Sequence, residues 1–124
     1  MFEPADDWVE LDPPPAWYHD VWDTMVDCTG FDDGPDFNVV RWFTVDRPWL
    51  DWHGEKAHGL AYIESNFILM LECWADVPET VAHESIHLLA GLDELDFDHE
   101  AWYWTCPSLV ADYEAVKICL SLYL

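Results

Sequence analysis

The chain has 124 residues, enough for one domain and too few for two with separate cores. Hydrophobic residues make up 52% and aromatic residues 16%, with nine Trp, so a packed core is within reach and a disordered tail is excluded. Twenty-six Asp+Glu against four Lys+Arg give a formal net charge of −22, which argues against direct binding of nucleic acid or an anionic membrane and favours cations and basic proteins.

Residues 1–15 read as an extended acidic lead-in that ends in Pro13-Pro14-Pro15. The acidic start differs from the basic start of a signal peptide, and no apolar stretch follows it. The longest apolar run, Phe67 to Leu71, is far short of the roughly 20 residues of a spanning helix. Cys28, Cys73, Cys106 and Cys119 contain no Cys-x-x-Cys pair. The expectation is therefore a cytoplasmic protein with reduced, mostly buried thiols, two disulfides being the alternative.

A helix is predicted from Ala16 to about Cys28, with Trp17, Val21, Met25 and Cys28 on one face and a stop at Gly30. Residues 1–40 hold eleven acids and no base, which reads as a solvated acidic face. Asp32-Asp33-Gly34-Pro35-Asp36 lacks the ligand spacing of an EF-hand. Phe37 to Val45 is rich in β-branched and aromatic residues and reads as a strand, followed by a loop with Pro48, Gly54 and Gly59. Ala61 to Leu71 reads as one strand, with Ala61, Ile63, Phe67, Leu69 and Leu71 sharing a face. The next helix should start with Asp76 as N-cap, Pro78 in the first turn and Glu79 at N3. It should end at Ala90, with Gly91 as its left-handed cap. An acidic loop, 92–98, leads to two helices, about 99–106 and 108–122. The whole is an α+β domain, a small sheet beside a helix, closed by C-terminal helices.

The helix over 77–90 contains His83-Glu84-Ser85-Ile86-His87. Residues four apart on a helix sit one turn above each other, so both imidazoles can reach a single metal ion. Glu84 lies about 100° around the helix from His83 and can reach a water on that metal as a general base. A hydrolytic zinc needs a third protein ligand and an open position. Asp93, Glu94, Asp96, Asp98, His99 and Glu100 follow within reach; His99 is the informative one, because carboxylates are common here and histidines are not.

The runs Gly59-Leu-Ala-Tyr-Ile-Glu-Ser-Asn-Phe-Ile-Leu-Met, Thr80-Val-Ala-His-Glu-Ser-Ile-His-Leu-Leu-Ala-Gly91 and Asp98-His-Glu-Ala-Trp resemble the small ImmA/IrrE-like zinc metallopeptidases, many of them encoded by phages and mobile elements. The likeness covers roughly residues 58–110. It implies a minimal zincin-like fold for the single domain 1–124, Zn2+ as cofactor, His83 and His87 as ligands and Glu84 as general base. The family pattern makes Glu100, or Asp98, the third ligand, whereas the SprT-like peptidases would support His99. The acidic surface and Tyr103, where small residues are common, depart from the family and bear on the substrate.

His53 and His58, in the loop before the strand, read as solvated, with stabilisation of a tetrahedral intermediate as the sharper role. His19 has no evident partner. Trp42, Trp49, Trp52, Trp74, Trp102 and Trp104 read as core before recognition surface. No phosphate-binding glycine loop or Gly-x-Ser-x-Gly elbow is present. The expected function is zinc-dependent hydrolysis of a peptide bond in a peptide or basic protein such as a DNA-binding repressor. The alternative is a non-enzymatic, DNA-mimicking inhibitor of a nucleic-acid-binding protein.

Overall fold

The computed structural model describes residues 4–52, 55–91 and Cys106. In chain order these form β1 (Val9–Glu10), α1 (Ala16–Thr29), β2 (Arg41–Val45), β3 (Leu50–Trp52), β4 (Glu55–Ala57), β5 (Gly59–Tyr62), β6 (Phe67–Leu71) and α2 (Pro78–Ala90). The α+β class is therefore as expected. The sheet runs β1-β2-β6-β5, with β2 and β6 parallel at its centre and an antiparallel strand at each edge; β3 and β4 form a separate hairpin.

Both faces of this sheet are covered, which explains the unbroken apolar run of β6. Trp42, Ala61, Ile68 and Met70 pack on one face against Tyr18, Val21, Trp22 and Met25 of α1 and Val81, Ala82 and Ile86 of α2. Phe43, Val45, Leu60, Phe67, Leu69 and Leu71 pack on the other face with Leu50 of the hairpin, beneath Trp8 and Trp74. Tyr18 ties α1 to the approach of α2 by donating its hydroxyl to the Ala75 carbonyl at 2.6 Å. Its burial holds the phenol well above the ordinary tyrosine range.

Several expectations need correction. The single strand over 61–71 is two antiparallel strands, β5 and β6, turned by a 3-10 segment at Ile63–Ser65 and by Asn66 at φ 55°. Ala61 consequently shares its face with Ile68 and Met70, opposite Phe67, Leu69 and Leu71. Of the first predicted strand only Arg41–Val45 pairs in the sheet, because Phe37–Val39 forms a 3-10 turn. Part of the predicted loop is strand instead, since Leu50–Trp52 and Glu55–Ala57 pair as hairpin β3–β4 and Gly59 opens β5, and the lead-in contributes β1. The cap of α2 is Val77, which puts Pro78 at N1, where its fixed φ suits the helix. Gly30 and Gly91 do close their helices in the left-handed conformation.

The cysteine expectation is overturned too. Cys28 is exposed and disulfide-bonded to Cys106, 78 residues away, and Cys73 is also disulfide-bonded. Thr29, not Cys28, completes the buried face of α1. The thiol argument for an intracellular location falls with this pairing. Among the described residues no helix is long and apolar enough to cross a membrane. The predicted helices at 99–106 and 108–122, apart from Cys106 itself, lie outside the described residues.

Candidate metal centre

The fixed φ of Pro78 starts α2 and Gly91 ends it, so positions 83, 84 and 87 fall within an unbroken helix. Val81, Ala82, Ile86 and Leu89 bury the other side of that helix against α1 and the sheet. This packing sets the rotation of α2 and so where the 83/87 face points, while the four-residue spacing brings the two histidines together. Their Nε2 atoms are 3.2 Å apart and their rings meet at 72°. Two nitrogens bound to one tetrahedral zinc at its usual distance are about 3.3 Å apart. The pair is thus spaced to share an ion without rearrangement. The same separation suits an N–H···N hydrogen bond between neutral rings, so the helix can hold the pair ready.

Ligand atoms of His83, Glu84 and His87 all lie within 4.8 Å of one another, and this group could hold a metal ion. Two imidazoles and one carboxylate suit a borderline transition metal better than calcium or magnesium, which prefer all-oxygen shells. His87 is 0% exposed and Glu84 3%, while His83 is half-buried. The centre is therefore an inner wall that reaches solvent on the His83 side.

Glu84 packs directly on β5. A Cβ built on Gly59 would stand 3.0 Å from Glu84 Cγ and 3.2 Å from both Cδ and Oε1. Gly59 reads as a loop residue in the sequence, because its meaning depends on a helix 25 residues later. A glycine at the start of a strand was the available signal.

His58 belongs elsewhere. It sits at the bend between β4 and β5, and its ring stacks at 3.8 Å on Trp74, which packs on the face of the sheet away from α2. The residue is exposed overall, yet the covered ring face holds its pKa below the ordinary histidine range. His19 does have partners, Asp23 at 3.6 Å and a stacked Phe37. Trp42 is core, Trp74 half-buried and Trp49 exposed beneath Lys56. His53, the Trp52 side chain, Trp102 and Trp104 lie outside the described residues, as do the third-ligand candidates Asp98, His99 and Glu100. No family model matches the chain, and no curated protein or solved structure is measurably similar to it.

Proposed function

We propose that the chain is a zinc-dependent peptide hydrolase with a minimal zincin-like arrangement, similar to the ImmA/IrrE-like peptidases. The observation that carries this is the 3.2 Å separation of His83 and His87 Nε2 with the Glu84 carboxylate beside them. His83 and His87 would hold the ion, with a third ligand from His99, Glu100 or Asp98. When bound, zinc supplies a Lewis acid that makes water acidic near neutral pH and polarises the scissile carbonyl. Glu84 accepts the proton of the attacking water and returns it to the leaving amine nitrogen. Its burial keeps bulk water from competing for that proton.

Strand β5 is suited to align the substrate. The Leu71 N–H donates to the His58 carbonyl at 3.0 Å, which sets the phase of the β5–β6 ladder. His58, Leu60 and Tyr62 therefore turn their peptide groups to β6, and Gly59 and Ala61 turn theirs outward. No described strand pairs with that edge. A peptide added there would run past Glu84, which touches Gly59. The net charge of −22 favours a basic peptide.

The test is Glu84→Gln, assayed on a basic peptide beside wild type. The variant should keep one zinc and lose about 100-fold or more in turnover, as removal of a general base does. Equal turnover, or loss of the metal along with activity, contradicts the assignment.

A further inference from the structure

Gly59 occupies the first position of β5, and its φ is not in the left-handed region, where only Gly30 and Gly91 among the described glycines lie. The backbone there would accept any residue. Glycine nevertheless weakens a strand, through its entropy in the unfolded chain and its missing side chain. Space explains its presence. The three heavy atoms nearest to a Cβ at this position all belong to one side chain, Glu84, and the shortest approach would be 3.0 Å. Ala61, the next residue on the same face, is also small and is buried in the cluster that receives α2. Together they let the helix sit close against the edge strand. Glu84 is 3% exposed, so its carboxylate has little room to move aside.

We infer that Gly59 is a positioning residue: its bare Cα is the wall against which the Glu84 carboxylate rests, and it sets where the general base lies relative to the His83–His87 pair. The role rests on the hydrolase proposed above. Alanine at 59 pushes Glu84 Cγ and Cδ outward by a few tenths of an ångström and displaces the base, while both ring nitrogens, which Gly59 does not touch, keep their spacing. A proton transfer at hydrogen-bond range is sensitive to such a shift.

The experiment uses the full chain, loaded with zinc, as wild type and three variants that complete a cycle: Gly59→Ala, Glu84→Ala and the double substitution. Zinc titration should give dissociation constants for wild type and Gly59→Ala within threefold of each other. On a basic peptide, kcat of Gly59→Ala should fall tenfold or more while KM stays within threefold. In denaturant, Gly59→Ala should lower the midpoint when Glu84 is present and should not lower it in the Glu84→Ala background. Unchanged kcat, zinc loss in parallel with kcat, or an equal midpoint shift in both backgrounds overturns the inference. Should Gly59→Ala fail to fold, combining it with Glu84→Asp, one methylene shorter, should restore folding; failure to do so also overturns it. Wild type that binds zinc but turns over no peptide refutes the hydrolase and, with it, the positioning role. Active wild type with an equally active Gly59→Ala refutes the role of Gly59 alone.

Discussion

His87 is 0% exposed, and a buried imidazole is costly unless its nitrogens find partners. Nε2 of His83, 3.2 Å away, answers part of that demand by helix periodicity alone. This is why the pair was legible in the sequence: two residues four apart on a capped helix meet whatever the rest of the fold does. Gly59 was not legible, since its contact with Glu84 exists only once α2 lies on β5. Asn66 lies between these cases. Asparagine tolerates the left-handed conformation, and Glu64-Ser65-Asn66 is turn-forming, but the hydrophobic alternation on either side masked it. Because Asn66 sits at φ 55°, Asn66→Ala should cost about 1 kcal/mol in chemical denaturation, while Asn66→Gly should be nearly neutral. An alanine variant as stable as wild type would mean that this turn is not left-handed in solution.

The elements with strong local signals, α1 and α2 with their glycine caps, matched their predicted limits to within a residue. Short strands did not, because two or three residues carry too little periodicity. β1 is held instead by charge. Arg41 donates to both carboxylate oxygens of Glu10, at 2.6 and 3.2 Å, and Arg47 donates to Asp7. The hydrogen bond from Arg41 keeps Glu10 below its ordinary pKa of 4.5, and Arg41 stays charged throughout. A carboxylate with a lowered folded pKa stabilises fully above its unfolded value and loses that contribution as pH falls through the folded one. The backbone bond from Leu11 to the Trp42 carbonyl adjoins this pair. Hydrogen-exchange protection of the Leu11 amide should therefore drop as pH falls below about 4.5, and Arg41→Gln should weaken that dependence. Protection that is flat with pH in wild type would show that the ion pair does not secure β1.

At the scale of the whole molecule, self-repulsion from a net charge of −22 opposes compaction, and covalent closure offsets part of it. The Cys28–Cys106 disulfide closes a loop with a sequence separation of 78 that encloses strands β2 to β6 and α2. Widely spaced cysteines gave no hint of this pairing, because it depends on where the end of α1 lies in three dimensions. Cys28→Ser with Cys106→Ser should lower stability by about 2–4 kcal/mol, measured by denaturant unfolding under oxidising conditions. A midpoint equal to that of wild type would mean the bond adds nothing to the folded state. Within this fold His83 and His87 stand on α2 with Nε2 atoms 3.2 Å apart, spaced to share one ion. Zinc titrated into metal-free protein, followed by the nitrogen resonances of the histidine rings, tests it most directly. Nε2 of His83 and of His87 should shift together and saturate at one equivalent, with His58 and His19 unmoved, and His87→Ala should abolish the transition. Resonances of His83 and His87 that stay in place at saturating zinc would contradict it.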